Sequence, residues 1–258
     1  MNAGVPAGTD HALWPLPLLA ALLPLVATAM AYLLSIHLGL VPACNPFLEG
    51  CVSISRAARH DLPNILFRAL LLPAAVLQAL CWLLCPAWLR TLGAAPDRWQ
   101  RALPALGMAA GVVLVLYGTF LGTEGQGYRW MRRYGVAFYF GLTCIGMLIV
   151  SGQMQRQLRG RPVERRLTLA LLTLCAMLPL LGLAHLLLPL WWPAPAAKDA
   201  LENITEWWAG AIFTAFFVVL AWAWRRTGFG AQLHRRGAGP VASEHDSPSS
   251  APVSSDDR

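Results

Sequence analysis

Charge is what this chain has least of. Acidic and basic residues together make up 13% of its 258 residues, about half the quarter that is usual in soluble domains. Lys198 is the only lysine, and no Lys or Arg precedes Arg56. Nothing therefore supplies the basic start of a cleavable signal, and the first apolar run far exceeds the roughly 7–15-residue core of one, so that run is expected to stay in the mature protein. No acidic residue lies near the middle of any apolar stretch, which argues against proton-coupled transport. No HxxxH, HExxH or CxxCH spacing is present, so His37, His60 and His185 do not point to a metal or haem, and no cofactor is expected. No 20–50-residue repeat marks a solenoid.

What is present is apolar length. Hydrophobic residues are 57% of the chain, gathered into six stretches at 14–40, 65–87, 104–122, 136–154, 167–192 and 204–224. Each is near or above the ~20 residues that cross a ~30 Å hydrocarbon core. Spans of this length must be helices, since barrel strands are about half as long and alternate in polarity. The expected fold is an all-α, six-helix transmembrane bundle over 14–226, with a short tail at 1–13 and a Ser/Pro/Asp-rich tail at 227–258 whose composition does not support a core.

Six crossings put both ends on one side. With the N-terminus inside, the inner segments hold twelve arginines (Arg90, Arg98, Arg101, Arg156, Arg159, Arg161, Arg165, Arg166, Arg225, Arg226, Arg235 and Arg236), against Arg56, Arg59, Arg129, Arg132, Arg133 and Lys198 outside. The excess favours N-in, C-in. The formal charge of +7 is thus spread over loop ends as topology requires, and implies no nucleic-acid partner. Nineteen arginines to one lysine, with much Ala and Leu, suggest a GC-rich genome and a bacterial inner membrane, with a eukaryotic endomembrane as the alternative.

Gly107, Gly111, Gly118 and Gly122 fall on one helical face as two GxxxG pairs and predict close packing of the third span. The external side carries the chemistry. In the first loop, Cys44 and Cys51 are either a short-loop disulfide or two interfacial thiols, whereas Cys81, Cys85, Cys144 and Cys175 read as apolar packing groups. Arg68 and Glu206 lie just inside the second and sixth spans. They are read either as an ion pair or as separate groups, with Arg68 holding a lipid phosphate through its planar fork. Asn203-Ile204-Thr205-Glu206 also has the form of a helix N-cap with its acidic third residue, and of a glycosylation sequon. Trp191, Trp192, Trp207 and Trp208 read as an interfacial belt. Glu124 to Tyr134, with Arg129, Arg132 and Arg133 among aromatics, suits either anionic head groups or helix anchoring.

Asn45, Ser53-Ile54-Ser55, Pro63 and Phe67-Arg68, with Glu206-Trp207 opening the last span, resemble the first luminal loop and final span of the Frag1/DRAM/Sfk1 family, in particular its post-GPI-attachment lipid remodelling branch and the N-terminal part of Cwh43 proteins. The resemblance covers roughly 14–226. It departs at Arg59-His60-Asp61, and Arg132-Arg133-Tyr134 stands where the family often opens its fourth span with His. It implies a six-helix membrane protein that binds or remodels a lipid or lipid-linked glycan from the outer leaflet. In that reading Arg68, Arg129, Arg132 and Arg133 hold phosphate, Ser53 and Ser55 line the head-group pocket, and His60 or Glu206 moves a proton. A scaffold or small-molecule transporter is the alternative.

Overall fold

The computed structural model describes residues 10–157, 162–191 and 194–232. Among the described residues, six helices are long and apolar enough to cross a membrane: α1 (Pro15–His37), α3 (Asp61–Thr91), α4 (Arg98–Thr119), α5 (Gln126–Gln157), α6 (Pro162–Trp191) and α7 (Pro195–Arg226). The protein is an all-α integral membrane bundle, as its hydropathy predicts. The short helix α2 (Ile54–Ala57) lies in the loop between α1 and α3. Strands β1 (Asp10–Ala12) and β2 (Gly230–Gln232) pair antiparallel, Asp10 opposite Gln232, so the two ends of the bundle's chain meet at one face, called here the terminal face. The opposite, distal face carries the loop with α2, the α4–α5 turn and the α6–α7 connection. The segment after 232 lies outside the described residues.

The helices pack as a ring in the order α1, α3, α4, α5, α6, α7 and back to α1, with α3 also touching α5. Side-chain size divides the interior into two halves. Toward the terminal face Trp82, Trp88, Trp224, Phe216 and Phe217 are almost fully buried, with Trp82 stacked on Phe216 at 5.9 Å and Trp88 near Trp224 at 6.3 Å. Rings of this size fill the space and make the best use of dispersion. Toward the distal face the buried cluster is built from Ala27, Ala31, Ala58 and Ala75 around Phe67, Leu71, Tyr117 and Tyr139. Alanines cannot fill what tryptophans fill, and the distal half is left with a cavity.

The glycines of α4 do face a neighbour. A Cβ on Gly107 would overlap the side chain of Trp82, one on Gly111 would stand 3.0 Å from Ala79 Cβ, and one on Gly118 would press on Leu71 and Leu72. All of these belong to α3, which is the more central helix. Gly122 is not on this face, because α4 ends at Thr119; it lies in the following turn at φ +91° against the Arg59 carbonyl.

Pro24, Pro73 and Pro179 do not break their helices; α1, α3 and α6 run through them. A helical proline leaves the carbonyl four residues earlier without its amide donor. For Pro24 that carbonyl is Ala20's, and Gln78 of α3 supplies the missing donor, its Nε2 standing 3.2 Å from Ala20 O. Gln78 Oε1 in turn accepts from the Tyr139 hydroxyl at 2.7 Å. One glutamine thus joins α1, α3 and α5 in the middle of the span with both ends of its amide satisfied.

Candidate functional site

The distal loop is held down by backbone carbonyls that side chains from the helices reach. Ser35 Oγ donates to Ala57 O at 2.6 Å, and Asn64 Nδ2 donates both to Ala58 O at 2.9 Å and to Leu121 O at 3.0 Å. The α2 corner is thereby fixed to α1, α3 and the end of α4. Ser53 caps α2, its Oγ accepting from Arg56 N at 3.1 Å and lying 3.1 Å from Ser55 Oγ. Cys44 and Cys51 are joined by a disulfide, with Cα atoms 6.5 Å apart.

Helix α7 receives this loop. Asn203 Nδ2 donates to Gly50 O at 2.7 Å, Trp207 Nε1 to Val52 O at 2.9 Å, Trp208 Nε1 to Phe47 O at 3.2 Å, and Glu206 Oε1 accepts from Ser55 N at 3.1 Å. Gly50 is required here on two counts. Its φ is +62°, and a Cβ would run into the backbone of Ala200. Tyr32 and Phe47 pack edge-on against Trp207 at 5.3 and 5.4 Å.

These contacts correct several expectations. Asn203 is not an N-cap, because α7 starts at Pro195, two turns earlier; its amide serves the loop instead. Arg68 and Glu206 form no ion pair. Helix α3 begins at Asp61, which leaves Arg68 two turns inside it, and the cations whose charges bear on Glu206 are Arg59 and Arg56. Trp207 is buried at 6% exposure and is a loop anchor, not part of a lipid-facing belt. Trp192 and the side chain of Trp191 lie outside the described residues. The basic and aromatic segment expected between spans is helical from Gln126 on: a helix continues beyond the hydrocarbon when its backbone bonds are internally satisfied.

Two cavities flank this loop. The first, of about 380 Å³, is polar and open, lined by Arg59, His60, Gly122, Thr123, Glu124, Gly125 and Arg129. It lies between the start of α3 and the first turn of α5. Further along α5, Trp130 and Tyr134 lie tilted to each other with centroids 5.0 Å apart on an exposed surface, the disposition of aromatics at a membrane–water boundary. The side chains of Arg132 and Arg133, which follow Arg129 on the same helix, lie outside the described residues. The second cavity is inside the bundle, with a water-accessible volume of about 90 Å³. Its walls come from α1, α2, α3, α4, α5 and α7, with Glu206 and Ile54 at its distal end and Gln78 and Tyr139 at its inner end.

Of the residues singled out in the sequence, the structure brings Ser53, Ser55 and Glu206 together, and brings His60 together with Arg129. It does not bring His60 to the serines: no hydrogen bond joins it to Ser53 or Ser55, and it lines the other cavity. Arg68 is half-buried and lines neither. Arg59, Asn64, Gly50 and Gln78 had no sequence signal beyond their type; only the proline at 24 hinted that some donor was needed near Ala20.

A scan against protein-family models, a search of curated proteins and a search of solved structures each return no match to this chain.

Proposed function

We propose that this integral membrane protein binds a phosphate-bearing lipid, or a lipid-linked glycan carrying phosphate, at its distal face. The observation that carries this reading is the polar cavity between α3 and α5. Arg59 and Arg129 approach it from two different elements, and a guanidinium offers paired, planar donors to phosphate oxygens. His60 and Thr123 add donors, and Gly122 and Gly125 keep its wall low. Its ~380 Å³ falls within the ~300–1,000 Å³ of ordinary ligand sites. Glu124 on the rim suits the hydroxyls of a glycerol, inositol or sugar head group. The resemblance of the α1–α3 loop to Frag1/DRAM/Sfk1 proteins agrees in kind, and the Arg excess on the terminal face makes the distal face the outer one.

Binding is favoured over remodelling. Covalent transfer by a serine needs a base within hydrogen-bond reach, and Ser53 and Ser55 are engaged with each other and with the α2 cap. Native mass spectrometry with lipid extraction tests the proposal. The gently purified wild type should retain a specific phosphate-bearing lipid that Arg129→Ala loses; bulk membrane lipid carried equally by both would overturn it.

A further inference from the structure

We infer that the inner cavity is a slot for one hydrocarbon tail of a membrane lipid, entered sideways between α5 and α7. Its depth is the first argument. Phe67 near its outer end and Gln78 at its inner end are eleven residues apart on α3, about 16 Å at the helical rise of 1.5 Å. That is about half of the ~30 Å hydrocarbon core, the depth of a single leaflet. The walls are apolar along this length, with Leu71, Leu114, Val136 and Phe213 facing in. The carboxyl and the amide of the lining stand at its two ends, the amide with the Tyr139 hydroxyl, and the hydroxyls of Thr28, Tyr117 and Thr214 are its other polar groups. At the inner end Gln78 and Tyr139 satisfy each other and offer a tail no unpaired group; at the outer end Glu206 stands where a lipid changes from chain to ester or hydroxyl.

The second argument is the way in. Helix α6 packs on both α5 and α7, but its buried residues, Leu167, Thr168, Leu171 and Cys175, all belong to the half nearer the terminal face. Beyond Cys175 none is buried up to 188, and Leu180, Leu183 and Leu186 are at least half exposed. The seam between α5 and α7 is closed by the stacked rings of Phe140 and Phe213, 4.9 Å apart, and beyond Cys175 α6 lays only partly buried side chains, Leu178 and Leu181 among them, against the core. Gly210 of α7 keeps the slot open beneath α2: the nearest atom to a Cβ there would be Ile54 Cδ1 at 3.3 Å. Such a seam opens onto hydrocarbon and not onto water. The solvent that meets it is the acyl chain itself, which is why a tail and not a soluble apolar molecule is the occupant.

This deepens the lipid reading by assigning the tail a place separate from the phosphate. The test uses the full chain in vesicles containing an anionic phospholipid with a photoreactive diazirine midway along one acyl chain. After illumination, labelled peptides are mapped by mass spectrometry. Label is expected on Leu71, Val136 and Phe213, and should be lost when the slot is filled by Gly210→Phe or, from the other side of the seam, by Val136→Trp. Label confined to the outward residues Phe138, Leu148 and Val218, equal in all three proteins, would overturn the slot. A phosphate-free diacylglycerol probe separates the two ideas. If the slot stands and the phosphate site fails, both probes label the lining whether or not Arg129 is replaced by Ala. If the phosphate site stands and the slot fails, lipid retention depends on Arg129 while the lining stays unlabelled.

Discussion

Replacing Gln78 with Leu should destabilise the bundle strongly only while Pro24 is in place. The amide of Gln78 makes two buried bonds, one to Ala20 O and one from Tyr139. Leu removes both and leaves a carbonyl and a hydroxyl in the middle of the span without these partners. Interhelical hydrogen bonds in membrane proteins average about 0.6 kcal/mol and reach about 1.7, while an orphaned buried group costs about 1–3. The single substitution should therefore cost ~1–3 kcal/mol. The Ala20 carbonyl needs Gln78 only because Pro24 has no N–H. In Pro24→Ala the amide at 24 is restored one helical turn above Ala20 and closes on it within α1. Gln78→Leu in that background should cost about 1 kcal/mol less, a fivefold smaller change in the unfolding equilibrium.

The assay is a double-mutant cycle, with reversible unfolding of the four proteins in mixed micelles followed by tryptophan fluorescence. Losses that simply add, within the ~0.3–0.5 kcal/mol expected of independent sites, would refute the argument, since they would mean that Gln78 does not serve the carbonyl left open by the proline. A larger cost in the Pro24→Ala background would refute it more directly.

Three further predictions concern the two faces. Cys44 and Cys51 should give a linked peptide under non-reducing digestion. Their eight-residue ring should make the disulfide contribute up to about 2.5 kcal/mol by the loop-closure relation; recovery of two alkylated thiols would end the claim. Gly50→Ala should cost ~1–3 kcal/mol through a strained positive φ and the collision with Ala200. Its signature should be a red shift of Trp207 emission as the loop lifts, and an unchanged spectrum would contradict the docking. At the terminal face, Asp97 accepts from Gln100 N at 2.7 Å, its other oxygen accepts from Gln153 Nε2, and Arg156 adds attraction. The Gln100 amide first, and then Gln153, hold its carboxyl below the ordinary 3.8 despite partial desolvation. A depressed folded-state value means that the contribution is complete above 3.8 and lost as pH falls below it. Asp97→Asn should thus lower the melting temperature at neutral pH, with the gap closing below about pH 3.8; a gap independent of pH would exclude the charge.

The spans were legible because crossing a membrane imposes length and hydropathy that no other fold requires. Their ends were not. Helix α5 starts ten residues before its apolar stretch and α7 nine before, because a helix satisfies its own amides and carries Tyr128, Arg129 or Glu202 into the interface as readily as Leu. The cysteine pair was visible as the two cysteines outside the spans, with free thiols as the other reading, and the glycines of α4 were visible as a period. The docking of the α1–α3 loop on α7 was invisible, since Gly50 to Asn203 and Ser55 to Glu206 join a backbone atom to a side chain some 150 residues away. A backbone donor or acceptor has no letter in the sequence. For the same reason Glu206 was matched with Arg68, the nearest charge by depth, when its hydrogen-bond partner is an amide.

The division of the bundle into a ring-filled half and an alanine-lined half has a consequence for where motion can occur. In the terminal half Trp82 touches Phe216 and Phe217 and also limits Gly107 and Gly146, so a displacement of α3, α4, α5 or α7 there would open a void beside a fully buried ring, at about 24 cal/mol per Å³. The distal half already has its void, and α6 brings no fully buried side chain to it between Cys175 and 188. Separating α5 from α7 there costs the Phe140–Phe213 stack and the tilted Tyr139–Phe213 contact, about 0.5–1.5 kcal/mol each, while the α1–α3 loop is tied to α1, α7, the start of α3 and the end of α4 and makes none of the bonds described above to α5. Any outward movement of α5 there, about a pivot where Met147, Val150 and Met154 are fully buried, must also give up the Tyr139–Gln78 bond and the stack of Tyr128 on Phe120 at 5.2 Å. Since Arg129 is carried on the outer end of that same helix, entry of a tail and closure of the basic cavity on its phosphate would be one movement.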